Sequence, residues 1–147
     1  NCRFGDPECQ TIMPLMDNDF VILLQKCARG ILNGNEKIQM PDKFSGCVIA
    51  TSKGYPLNYE TGFPINFGNI DFEDCQIFDS GTSLNEKGDF ITDGGRVLSI
   101  VCQGQDFNKV FEKVYKNLKE INFEGIFYRK DIGHQVRIKN PSKSIQW

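Results

Sequence analysis

The stretch 106–121, "DFNKVFEKVYKNLKEI", decides the fold class. Phe107, Val110, Phe111, Val114, Leu118 and Ile121 recur at i, i+3, i+4 and i+7, with Lys and Glu between them. That period marks an amphipathic helix with one face buried and one in water. Asp106 stands just ahead of the stripe, where its carboxylate serves as N-cap for the first free amide hydrogens. This helix is scaffold.

Working outward, the flanks change period. Upstream, "FSGCVIATS" (44–52) is a short apolar run with β-branched residues, closed by "SKGYP", and reads as a buried strand. Residues 55–71 follow, rich in Pro, Gly and scattered aromatics. That is a long loop of the kind that often carries function. Next come "CQIFDSG", "DFITDGG" and "GRVLSIVCQG", three strand candidates joined by turns at "NEKG" and "DGG", with a hairpin in the middle. Downstream of the helix, short strands are expected near "IFYRK" and "HQVRI". The end of the chain, 139–147, is a polar, basic tail expected to fray. The pattern changes near Pro41. Before it, Gly5, Pro7 and Pro14 mark 1–16 as a loop. A helix follows, with Asp17 or Asn18 as N-cap and Asp19 in its first turn. Its stripe of Phe20, Val21, Leu24, Cys27, Ala28 and Ile31 is expected to be buried, and "NGN" at 33–35 ends it, with Gly34 as the left-handed cap. One helix, a β-rich stretch, a second helix and short strands make the class α+β with an antiparallel sheet.

Composition narrows the partners. The 147 residues suit about one domain, with 39% apolar and 24% charged residues and a formal charge of −2. That balance provides no general field for nucleic acid or an anionic membrane. The longest apolar run, 20–24, is far too short to cross a bilayer. Six cysteines are scattered without a C-x-x-C pair, and the single histidine, His134, lies far from any cysteine cluster, which argues against zinc. The reading is six free thiols in a reducing, cytoplasmic setting.

The chemistry-bearing residues sit in short motifs. In "NCRFGDPECQ" (1–10), Asn1, Asp6 and Glu8 offer the hard oxygen ligands that Mg²⁺ takes beside nucleotide phosphates. Arg3 offers a planar fork for carboxylate or phosphate. The same residues also make an ordinary polar turn with a capping Asp. In "TDGGRV" (92–97), Gly94 and Gly95 permit a small anion cradle from which Arg96 reaches a phosphate. The alternative is a turn whose Arg96 pairs with a nearby acid. "SGT" (80–82) offers hydroxyl and backbone donors or a plain β-turn. In "YRKDIG" (128–133), Arg129 and Lys130 complete an anionic pocket braced by Asp131, or lie as surface charge on an end strand. A lone His134 is given no catalytic role.

In order, "NCRFGDPECQ", "GYP", "SGT", "DGGRVLSI" and "YRKDIG" resemble the C-terminal part of the phosphoribosylamine–glycine ligase (glycinamide ribonucleotide synthetase) family, ATP-grasp enzymes of de novo purine synthesis. The likeness covers about positions 1 to 137. The family's motif reads Glu-Phe-Asn-x-Arg-Phe-Gly-Asp-Pro-Glu-x-Gln, and its Glu and Asn hold the metal at the ATP γ-phosphate. Asn1 matches that Asn, and the partnering Glu would stand two residues before it, so the chain reads as a piece of a longer protein. The resemblance implies residues 1–40 as the end of an ATP-grasp domain, loop plus helix. It implies 41–138 as a small antiparallel-sheet C-terminal domain with one packed helix, with upstream ATP-grasp and N-terminal domains covalently continuous. The implied reaction couples glycine to 5-phosphoribosylamine through glycyl phosphate, with ATP as co-substrate and Mg²⁺ or Mn²⁺ as cofactor. Asn1 becomes a metal ligand and Arg3 the catalytic stabiliser of the transferring phosphoryl group. Asp6 and Glu8 orient that loop, and Gly94, Gly95, Arg96 and Arg129 line the substrate side. Two departures stand out: Asp93 where the family usually has Asn, and His134 where it commonly has Trp. Other readings of the same residues are a stand-alone binding module of this fold, or an ATP-grasp carboxylate–amine ligase of other specificity.

Overall fold

The computed structural model describes residues 2–137. The expected amphipathic helix is present as Phe107–Glu120, here α3, and Asp106 Oδ1 accepts from the Lys109 amide at 2.9 Å as its N-cap. Val110, Phe111, Val114 and Leu118 are buried, as the stripe requires. They pack against one face of a four-stranded antiparallel sheet made of β1 (Phe44–Ser52), β3 (Cys75–Asp79), β6 (Arg96–Gly104) and β8 (Ile126–Phe127), in the order β3-β6-β1-β8. Val48, Ala50, Leu98, Ile100 and Cys102 supply the sheet's side of that core. Two ribbons complete the β structure. One pairs β2 (Asn66–Phe67) with β7 (Ile121–Asn122). The other is the hairpin of β4 (Thr82–Leu84) and β5 (Phe90–Thr92), turned by Gly88 at φ 83°.

The opposite face of the sheet is covered by the N-terminal segment. Its first part is not the expected loop: it forms α1 (Glu8–Ile12) and a 3₁₀ turn (Met13–Leu15), both touching β1. Gln103 Nε2 donates to the Pro14 carbonyl at 2.9 Å and ties this layer to β6. Next, α2 (Phe20–Ala28) is capped by Asp19, which accepts from the Ile22 amide, rather than by Asp17 or Asn18. Asn18 is engaged elsewhere, accepting from the Gln39 amide and donating to the Lys37 carbonyl. The helix also stops earlier than expected. Gly30, at φ 64°, takes the left-handed position, with Gly30 N bonded to Cys27 O and Ile31 N to Lys26 O, a Schellman closure. No residue of α2 is buried, so its apolar stripe faces outward.

Other corrections follow from pairing. "DGG" does not join two paired strands; it links β5 in the small ribbon to β6 in the main sheet. "HQVRI" is not a strand, since His134–Arg137 forms a one-turn helix, α4. The six cysteines are not all free: β3–β6 register sets Cys75 opposite Cys102, and the two are joined in a disulfide. Cys2, Cys9, Cys27 and Cys47 are free. Among the described residues no helix is long and apolar enough to cross a membrane. The tail 139–147 lies outside them.

Candidate functional site

Four of the five motifs converge on one end of the main sheet. Two strand pairings fix that end: Thr51 of β1 lies opposite Arg96 of β6 on one side and Phe127 of β8 on the other. The loop carrying "GYP" leaves β1 here, "SGT" leaves β3, and "DGGR" enters β6.

Backbone contact clamps these turns together. Asp93 N donates to Gly81 O at 2.7 Å, and Gly81 N to Arg96 O at 2.8 Å. A Cβ on Gly81 would lie 2.7 Å from the Gly94 Cα and 2.6 Å from the Arg96 carbonyl oxygen, which leaves room only for glycine. Ser52 at the end of β1 holds the other side: its amide donates to Gly95 O and its hydroxyl to Gly94 O, both at 2.8 Å. The rings of Tyr55 and Tyr59 press onto Gly95, where a Cβ would meet Tyr55 Cδ2 at 2.2 Å. Ser52, Tyr55 and Tyr59 were not singled out from sequence, although "GYP" was the available signal.

A β-bulge aims the cation of this turn. Register runs Ala50↔Leu98 and then Thr51↔Arg96, so Val97 is an extra residue. Strict alternation would set Arg96 on the face of Leu98, in the core. The bulge turns it instead toward the N-terminal segment. There Arg96 Nη2 donates to Asp6 Oδ2 at 2.5 Å and Nη1 to the Asp6 carbonyl at 3.3 Å. Asp6 Oδ1 also accepts from Gln10 Nε2. The sequence alternative in which Arg96 pairs with an acid therefore describes the observed contact, and the acid is itself one of the expected site residues. Beneath them the Cys47 thiol is pushed up to about 12, first by burial and then by the negative charge of Asp6. Little of it is thiolate at neutral pH.

The remaining expected residues are distributed as follows. Arg3 is exposed, and among the described residues its hydrogen bond goes to the Phe4 carbonyl. Glu8 folds back over Gly5, its carboxylate occupying the space a Cβ would need. Arg129 is not gathered into the cluster. It forms a two-pronged pair with Asp131, Nε to Oδ1 at 2.9 Å and Nη2 to Oδ2 at 2.6 Å. The hydrogen bond from Arg129 lowers the Asp131 carboxyl, and Asp131 raises the guanidinium. Tyr115 of α3 pins this turn, donating to Arg129 O and accepting from Ile132 N. Asn1 lies outside the described residues. Among the described residues no cluster of His, Cys, Asp and Glu is suited to a metal ion.

Comparison with known proteins agrees with the motif order. Residues 45–135 match the family model "Phosphoribosylglycinamide synthetase, C domain". The chain is 43% identical over 132 residues to a phosphoribosylamine–glycine ligase of Caldanaerobacter subterraneus subsp. tengcongensis, covering 90% of this chain and 31% of that protein. It is 40% identical over 138 residues to a bifunctional purine biosynthetic protein of Dictyostelium discoideum, covering 92% of this chain and 17% of that one. A crystal structure of phosphoribosylamine–glycine ligase from Thermotoga maritima superposes with a TM-score of 0.76 at 31% identity. The match covers 89% of this chain and 32% of that one. The chain thus spans under a third of the length of these relatives.

Proposed function

The chain belongs to the phosphoribosylglycinamide synthetase C-domain family, and from that premise we propose that it is the C-terminal portion of an ATP-dependent phosphoribosylamine–glycine ligase of purine biosynthesis. The observation that carries this reading is the family match over 45–135. The gathering of the motif glycines and Arg96 at one sheet end supports it. In the proposed reaction, glycine is activated as an acyl phosphate at the expense of ATP. The amine of 5-phosphoribosylamine then displaces phosphate and forms the amide. Such catalysis is mostly positioning and neutralisation of developing charge.

Within this scheme the division into 1–40, the end of the ATP-grasp domain, and 41–138, the C-terminal domain, is retained. Two features support it: the change of pattern near Pro41 and the outward apolar surface of the first segment. Val21 is 63% exposed and Ile38 64%, a surface suited to packing against upstream chain of the same polypeptide. Arg3, with its guanidinium open, is assigned the transferring phosphoryl group. Glu8 braces its loop from beneath. Gly94, Gly95, Arg96 and Arg129 flank the substrate side. Asn1 is assigned to a divalent cation. Asp6 is committed to Arg96 and Gln10, and Glu8 to the Gly5 turn, so the described residues do not complete a ligand set. No step is derived through the ion. The chain alone is expected to be catalytically incompetent, and a cytoplasmic location accompanies this reading. The test is phosphate release by the full-length protein with ATP, glycine and phosphoribosylamine. Turnover without glycine, or only with another carboxylic acid, ends the specific assignment.

A further inference from the structure

We propose that Arg96 is a positioning residue that acts through Asp6: the pair is a clasp holding the loop 3–7, just ahead of α1, against the motif-bearing end of the sheet. The catalytic consequence rests on the ligase reading above; the clasp itself does not.

Three observations carry it. First, the contact spans 90 residues of sequence and both terminal nitrogens of Arg96 are spent on Asp6, one on the carboxylate and one on the main-chain carbonyl. A fork engaged twice on one residue fixes direction as well as distance. Second, the arginine is delivered by a built arrangement. The bulge between Ala50 and Thr51 turns it out of the core, and the turn before it is immobilised by Gly81, by Ser52 and by the tyrosine rings on Gly95. Third, the acid end is braced too. Gln10 of α1 holds the second carboxylate oxygen, and α1 itself is tied to the loop through Cys9 N on Gly5 O. Arg3 lies three residues before Asp6, so the pair ties the rigid sheet end to the reactive loop close to its open cation. The side chains are 38% and 46% exposed, so water screens the pair and its share of overall stability is small. Its effect is to set geometry.

The test has two arms. In this chain, modification of Cys47 by a maleimide is followed by peptide mass spectrometry. Cys47 is half-buried on β1, on the face covered by α1, and close to Asp6, so loosening the clasp uncovers it. Arg96→Ala, which leaves the Asp6 charge beside the thiol in place, should raise its labelling rate at least tenfold, while the melting temperature stays within a few degrees. The exchanged pair, Asp6→Arg with Arg96→Asp, should return the rate to within about threefold of the parent. In the full-length ligase, Arg96→Ala should lower kcat at least tenfold with KM for the phosphorylated amine within threefold, and Arg96→Lys should fall between. Unchanged Cys47 labelling in Arg96→Ala overturns the clasp. A tenfold rise in KM with kcat preserved overturns the positioning role and makes Arg96 a direct substrate contact. Absence of any ligase activity in the parent protein bears on the functional reading alone, because the labelling arm stands without it.

Discussion

Arg3 has an open guanidinium whose hydrogen bond, among the described residues, goes to the neighbouring Phe4 carbonyl. If it meets a developing phosphate charge in the assembled enzyme, Arg3→Ala in the full-length protein should lower turnover well over tenfold. Bidentate charged contacts are worth roughly 1.5–3 kcal/mol; a steady-state assay with an unchanged rate would return Arg3 to an ordinary surface role. Gly81 makes a second, independent prediction. Its missing Cβ is filled by the backbone of Gly94 and Arg96, which has no flexible end to yield. Gly81→Ala should therefore cost about 1–3 kcal/mol, read as a lower urea midpoint with an unchanged slope. At this scale the sequence showed residue types but not partners. "DGG" and "SGT" were visible as turns, yet nothing in either states that one closes on the other. The Asp6–Arg96 pair was equally hidden, because register and a bulge bring the two together.

Among the elements, α3 was the most legible, since six apolar residues at one period need only a sheet to cover them. The strand at 44–52 was legible for the same reason. The α2 stripe misled, because periodicity identifies an apolar face without saying what covers it. For the short α4, four residues are too few to show a period at all. The loop before β3 depends on α3: Asn117, buried, accepts from Asp71 N and donates to Asp71 O, while Lys116 pairs with Asp71, and Lys113 and Lys43 with Asp74. The hydrogen bonds from these lysines hold the Asp71 and Asp74 carboxyls below their usual range. A lowered folded value means the unfolded chain binds protons first as pH falls. The stabilisation is thus complete at neutral pH and lost progressively below about pH 4. Thermal melts from pH 7 to pH 2.5 should show this decline, and Asp74→Asn should flatten it. An identical acid slope in that variant would remove Asp74 from the account.

At the scale of the whole molecule, the buried apolar core of the described residues lies in the sheet, α3 and their connections, while the first forty residues expose Phe4, Ile12, Val21, Ile22, Leu24, Ile31, Leu32, Ile38 and Met40. Single exposed apolar residues are ordinary, but so many in one segment are not. This chain by itself should associate at high concentration. The double change Val21→Glu and Leu24→Glu should restore a monomer in sedimentation without lowering the melting temperature, because neither side chain is buried. Loss of the fold in that variant would mean the surface is internal to this chain after all. The contact between positions 6 and 96 has one more consequence, set by the clock of synthesis. Translation adds about 5–20 residues per second, so the segment bearing Asp6 leaves the ribosome roughly 5–20 seconds ahead of the strand that receives it. Through that interval the loop lacks its anchor on β6, and the ion pair forms only after residue 96 has emerged.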